Sequence, residues 1–365
     1  MRQQTFHLGY RPALDGLRGI SILAVLGFHA GIAWLGGGFL GVDIFFVLSG
    51  FLITALLCEE WERHGSISLK GFYIRRLRRL VPALVAMLVL YTIAMLILHR
   101  GGDLLYPLRS VLLVLLYVAN WAMMADPASI QYHLGHAWSL SIEEQFYLIW
   151  PLLLLWLFRK GISRRDIVLT VIVGLVASAC VHLVLWREGA SFSRVYYGLD
   201  TRAFSLLAGC LVGLMTAWGM LPASPRARRW FGRGAALSVA ALAVLTVISV
   251  FGTIYPAGSI YLAASAAAAV IVIALMLSPS GRLARLLGWP PLVWIGRLSY
   301  SLYLWHFPIY AFFHTIMPRE RYGLMALLPP TIVTFIAAIA SYYGIERRFY
   351  QRTPKPVPTP DPVAR

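Results

Sequence analysis

Apolar residues run in long blocks along this chain, and polar residues gather in the short gaps between them. A helix needs about 20 such residues to cross a hydrocarbon core. Blocks of that order lie near 17–35, 40–58, 81–99, 140–158, 166–186, 201–221, 235–252, 257–278, 299–317 and 324–345. The pattern predicts an all-α, polytopic transmembrane bundle of about ten spanning helices. A further block, "YPLRSVLLVLLYVANWAMM" at 106–124, is ambiguous by length alone.

Charge decides how to treat that block. Basic residues cluster at the N-terminus (Arg2, Arg11, Arg18), in "EEWERHGSISLKGFYIRRLRR", and in "RKGISRR", "PRARRWFGR", "GRLARLL" and "ERRFYQR". Short loops rich in Arg and Lys stay on the cytoplasmic side. If 106–124 crosses, the later clusters fall outside. If it is re-entrant or interfacial, they all fall inside, with both termini cytoplasmic. The second solution is the consistent one, and "RERYG" at 319–323 is the basic loop that fits it least. The first apolar run is followed by no small-residue cleavage pattern, so it is expected to remain as a signal-anchor helix. Residues 1–350 are expected to form one membrane domain. The proline-alternating end "TPKPVPTPDPVAR" predicts a disordered cytoplasmic tail over 351–365.

Composition agrees with this class. The 365 residues are 59% hydrophobic and 13% charged, with mean hydropathy +0.72, where a soluble domain carries about 25% charged residues. A formal charge of +17 raises nucleic acid as a partner, but the basic residues sit in loops between apolar runs and make no basic face on a soluble domain. Membrane lipids are the expected surroundings. Cys58, Cys180 and Cys210 are isolated in apolar segments and read as small core residues. No HExxH, paired His or Cys/His cluster points to a metal.

Against that background "LDGLRGISILAVLGFHAGIAW" at 14–34 stands out. Ionisable residues inside a membrane helix are costly and mark function by default. Arg18 and His29 are eleven positions apart, close to three helical turns, so they share a face about 16 Å apart along the axis. Three other stretches add polar groups. In "FYIRRLRRLVP", Arg75 and Arg79, or Arg76 and Arg79, lie on one helical face at a membrane boundary, where they could grip phosphate or anionic lipid. "HAWSLSIEEQFYLIWP" places His136, Glu143 and Glu144 at a helix start that Ser139 or Ser141 could cap. The adjacent glutamates point about 100° apart, so one of them is expected to face a central cavity. Asp43, Asp200 with Arg202, and His306 complete the set of candidates, and Asp15 is placed to orient Arg18.

Taken in order, "RPALDGLRGISILAVLGFHA", "GGFLGVDIFFVLSGFLIT", "FYIRRLRRLVP", "HAWSLSIEEQFYLIWP" and "SYSLYLWHFPI" resemble the bacterial acyltransferase-3 family over residues 11 to about 350. Its members are integral membrane enzymes that move acyl groups, usually acetyl, to hydroxyls of surface glycans, and some modify macrolides. The family's Arg/Lys, ten residues, His pattern falls on Arg18 and His29. The resemblance implies that Arg18 helps hold an acyl-CoA donor and that His29 is the catalytic residue. It favours Arg75, Arg76 and Arg79 as a clamp for the CoA phosphates, and Glu143 over Glu144 as the catalytic carboxylate. Asp43, His136, Glu144, Asp200, Arg202 and His306 are then expected on the acceptor side.

The expectation is an O-acyltransferase of the bacterial inner membrane, with acetyl-CoA as donor co-substrate and no tightly bound cofactor. Its acceptor would be a cell-surface glycan or, alternatively, a macrolide or other small molecule. His29 would act as a general base or carry the acyl group itself. Outside the enzyme class, a glycan or small-molecule transporter would also be polytopic with buried charges.

Overall fold

A computed structural model describes residues 6–98, 105–248, 258–317 and 326–351. Among these, all regular structure is helical. In chain order the helices are α1 (Pro12–His29), α2 (Gly41–His64), α3 (Leu69–Leu98), α4 (Leu105–Leu115), α5 (Ala119–Ala125), α6 (Ala137–Arg159), α7 (Arg164–Arg187), α8 (Phe192–Tyr197), α9 (Leu199–Ala217), α10 (Pro225–Ile248), α11 (Ser259–Leu277), α12 (Arg282–Leu287), α13 (Pro290–Ile316), α14 (Leu328–Ser341) and α15 (Arg347–Gln351). A π-helical turn, Tyr342–Glu346, joins the last two. Past Gln351, the expected tail lies outside the described residues, as does the 319–323 loop.

Among the described residues eight helical segments are long and apolar enough to cross a membrane, against the ten expected. Helices α1 and α13 are the difference. They have 18 and 27 residues, but Arg18 and His29 in one, and Arg297, Ser299 and His306 in the other, dilute their apolar character. The ambiguous block at 106–124 is two short helices, α4 and α5. Eleven residues of α4 reach only about 16 Å at 1.5 Å per residue, too short to cross alone. They break at Tyr117, whose φ of 55° is left-handed, and Gln145 Nε2 donates to the carbonyl this exposes, at 2.8 Å.

Local sequence explains the helix ends. Pro12 starts α1 where an N–H has no helical partner. Gly65, at φ 62°, closes α2 in the left-handed region while its N–H bonds to Trp61 O. Ser163 caps α7 by accepting from the Asp166 N–H. Between helices, small residues set the spacing. Gly50 of α2 lies against the Leu206 carbonyl, and Gly209 of α9 against that of Val47, so neither has room for a methyl. Gly19 and Gly296 do the same where α1 crosses α13. In a membrane such residues let helix backbones approach closely and gain dispersion contacts. Two helix pairs, α1 with α13 and α2 with α9, thereby become the framework for the polar residues.

Candidate active site

Helices α1, α2, α3, α6 and α13 surround a cavity whose space, its open mouth included, is about 810 Å³. Arg18, Arg76 and Arg79 line it together with Glu143, Glu144, Ser49, Tyr147, Ser299, Tyr300 and Tyr303. The Arg18 Nε and Nη2 atoms both donate to Ser299 Oγ, at 3.2 and 2.9 Å. Arg76 lies over the Tyr147 ring, 4.6 Å from its centroid, a cation–π contact. Glu143 accepts from Ser49 Oγ at 2.7 Å rather than from an arginine. Among the described residues none of these three guanidinium groups forms an ion pair. Glu143 and Glu144 line the same space, but the three guanidinium groups outnumber the two carboxylates and none is paired directly, which suits a multiply charged anion that arginine forks bind bidentately.

A second polar group lies further along α1. His29 Nδ1 is 3.1 Å from His306 Nε2 and 3.1 Å from the Val25 carbonyl. His306 is fully buried, and its Nδ1 faces the carbonyls of Leu302 and Tyr303 at 3.1 and 2.7 Å. Nδ1 of His306 therefore carries the proton, which leaves Nε2 to accept from His29. His136 stacks on Phe307 at 5.2 Å and stands 5.5 Å from His306 between ring centroids. The Phe307 ring also meets His29 edge-on at 4.8 Å. Three imidazoles from α1, the start of α6 and α13 thus converge in an aromatic setting. Among the described residues no group of three or more His, Cys, Asp or Glu is arranged to hold a metal.

Other candidates go elsewhere. Arg75 is outside the cavity, 3.5 Å from Glu60. Asp43 and Arg202 pair at 2.9 Å with both side chains wholly buried, on α2 and α9. Asp200 pairs with Arg194 at 2.5 Å. Asp15 does not orient Arg18; it accepts from Tyr10 and faces Arg297. Both glutamates, not one, reach the cavity, because it wraps around α6 and takes in Tyr117 on one side and Ser49 on the other. Neither Ser139 nor Ser141 caps α6. The helix starts at His136 without a side-chain cap, so the glutamates sit two turns inside it.

Sequence reading assigned no site role to Ser49, Ser299 or Tyr303, and Ser139 entered only as a candidate helix cap. A signal for them exists: Ser299, Tyr303 and His306 recur at i, i+4 and i+7, and Ser139, Glu143 and Tyr147 at i, i+4 and i+8, which are polar stripes on single helical faces. Glu346 was also missed. It is buried and accepts a hydrogen bond from Ser301, within the π-helical turn.

A helical membrane bundle with an arginine-lined cavity and a buried imidazole cluster is the class defined so far. The family model described as an acyltransferase domain matches residues 11–345, and the chain belongs to that acyltransferase-3 family. It is 37% identical over 354 residues to the peptidoglycan O-acetyltransferase OatA of Listeria monocytogenes, covering 92% of this chain and 55% of that protein. A putative peptidoglycan O-acetyltransferase of Bacillus subtilis, YrhL, is 35% identical, with 95% and 56% covered. A putative O-acetyltransferase of Staphylococcus aureus is 34% identical, with 93% and 57% covered. The chain spans about half the length of these relatives. No solved structure matches it.

Proposed function

We propose that this acyltransferase takes an acetyl group from acetyl-CoA and delivers it to a hydroxyl of a cell-surface glycan. The names of two relatives make peptidoglycan the first acceptor to test. In this reading the arginine end of the bundle faces the cytoplasm, with both termini on that side. The CoA phosphates lie among Arg18, Arg76 and Arg79, and the pantetheine arm points along α1 towards His29. The observation that carries the reading is the pairing of α1 with α13. It holds Arg18 on Ser299 in a cavity where guanidinium groups outnumber carboxylates, and His29 on His306 further along the same two helices.

The chemistry follows from the hydrogen bonds. His306 accepts from His29 Nδ1–H, which fixes the tautomer of His29 and leaves its Nε2 lone pair free. That nitrogen can take the proton of an acceptor hydroxyl as the oxygen attacks the thioester carbon and the C–S bond breaks, CoA thiolate leaving with one proton to gain. It can equally attack the thioester itself and pass the acetyl on. Glu143 and Glu144 place negative charge beside the arginines and so limit how tightly product CoA is held.

The test is His29→Ala in the full chain, purified in lipid nanodiscs and checked for folding. General-base or nucleophilic roles predict a fall of about 10²–10⁴-fold in CoA release from acetyl-CoA, and loss of acetyl groups from isolated peptidoglycan by mass spectrometry. Transfer that persists at the wild-type rate overturns the reading.

A further inference from the structure

The cavity and the histidine cluster are neighbours, but His29, His136 and His306 are not among the residues that line the cavity. Tyr303 stands between. It lines the cavity, while its ring centroid lies 5.4 Å from that of His136 and 5.3 Å from that of His306. Its hydroxyl is tied to α6 twice, with 2.6 Å to Ser139 Oγ and 3.0 Å to the His136 carbonyl. Ser139 Oγ reaches the same carbonyl at 3.4 Å. One hydroxyl on α13 is thus latched to the start of α6, and both Tyr303 and Ser139 line the arginine-containing space.

We propose that Tyr303 is the end wall of the acyl-donor cavity and sets the length of acyl group that can be presented to His29. The inference rests on reading the cavity as an acyl-CoA site. The ring is rigid and buried, 7% exposed, so a thioester seated among the arginines has room at its tip for whatever the ring leaves. A two-carbon acyl group can pass the ring edge towards the imidazoles, whereas a longer chain meets the ring face and its latch. The two hydrogen bonds explain why tyrosine stands here rather than phenylalanine. A bare ring at this place could swing along the cavity axis, while the latch holds it across the axis and lets it yield only when both bonds break. A tie needed only to hold α13 on α6 could occupy any height along the two helices; this one lies at the boundary of the two polar compartments.

The experiment compares the full chain in lipid nanodiscs with its Y303A, Y303F and S139A variants. It measures CoA release from acetyl-, butyryl- and hexanoyl-CoA with peptidoglycan fragments as acceptor. Wild type is expected to favour acetyl-CoA. In Y303A the ratio of kcat/KM for hexanoyl-CoA to that for acetyl-CoA is expected to rise about tenfold or more, the scale on which pockets discriminate methylene groups. Y303F keeps a ring but loses both bonds, and the ratio is expected to rise by about threefold, whereas S139A leaves the bond to the His136 carbonyl and is expected to raise it by less. A chain-length ratio that stays at the wild-type value in folded Y303F overturns the proposal, and this variant decides it should Y303A fail to fold. A wild-type protein that releases no CoA from any of the three thioesters overturns the donor reading itself. That outcome is distinct from wild-type activity with unaltered selectivity in the variants.

Discussion

Two arginines lie deep in this bundle, and they are treated in opposite ways. Arg202, with no exposed surface, is paired to Asp43 at 2.9 Å and stands 4.3 to 5.9 Å from the ring centroids of Tyr261, Tyr196, Trp138 and Phe46. Ser205 donates to the same carboxylate oxygen at 3.2 Å. Arg18 has a serine, a ring at 5.5 Å and open space. Burial of an ion is compensated only by a partner and good geometry. The first arginine has its partner within the protein and belongs to the architecture of α2 and α9, although this single contact leaves its Nε and Nη1 and Asp43 Oδ2 buried without a hydrogen bond among the described residues. The second has a hydrogen bond and, among the described residues, no direct ion pair, and it faces open space in which arginines outnumber the carboxylates, as a site for an anionic ligand requires.

The comparison can be broken from the architectural side first. Arg202→Met leaves Asp43 buried without its cation, which is expected to cost about 3–5 kcal/mol and most of the folded protein, read as yield and midpoint in detergent thermal denaturation. Adding Asp43→Leu removes the orphaned charge, and the double variant is expected to recover most of that loss. If R202M folds normally but loses acetyl transfer, Arg202 belongs to the chemistry and the division between the two arginines is mistaken. Gly209→Val probes the same helix pair without touching a charge. Its side chain meets the Val47 carbonyl, a backbone atom that can yield only if α2 and α9 part, and overpacking of this kind costs about 1–3 kcal/mol.

On the cavity side the expected effects are on binding. Arg79→Gln leaves a shorter amide with two N–H donors in place of five and removes a charge that, among the described residues, has no carboxylate within ion-pair distance. Charge-assisted hydrogen bonds contribute about 1.5–3 kcal/mol, so KM for acetyl-CoA is expected to rise about tenfold to a hundredfold, with the denaturation midpoint unmoved. Arg75→Gln, on the residue that faces Glu60 outside the cavity, is the matched control. A KM that responds equally to both would mean that the arginines act only as a diffuse positive field.

How far the sequence carried these distinctions depends on the range of each signal. Apolar blocks are contiguous, so nearly every long helix was legible, whereas the break at Tyr117 that divides 106–124 into two short helices was not. Polar contacts between helices are not contiguous. Arg18 meets Ser299 across 281 residues, and Arg202 meets Asp43 across 159. A single chain gives no means of telling which polar residue on one helix faces which on another. Asp43, Asp200 and Arg202 therefore resembled one acceptor-side set, although the fold puts Asp43 with Arg202 and Asp200 with Arg194. Glu143 and Glu144 misled for a local reason: a 100° separation excludes a narrow groove but not a cavity that wraps around the helix.

The mildest test is also the sharpest, because it compares serines that serve the two arginines. Ser299 Oγ accepts from both Nε and Nη2 of Arg18, so it fixes the plane of the guanidinium that would face phosphate. Ser205 Oγ serves Asp43 and Ser265 inside a filled cluster. Replacing a hydrogen-bonded serine by alanine shifts a free energy by about 1 kcal/mol, or about fivefold in an equilibrium. For Ser205→Ala that amount is expected in the denaturation midpoint, with KM for acetyl-CoA unchanged. For Ser299→Ala it is expected in KM, with the midpoint unchanged, since a freed Arg18 can still turn into the open cavity. The pattern would not survive the opposite result, with KM moving for Ser205→Ala and stability for Ser299→Ala. Arg18→Lys extends the argument, because one ammonium cannot reproduce two parallel N–H donors on a single oxygen while facing a phosphate. It is therefore expected to raise KM at least as far as Ser299→Ala does, although the charge is kept.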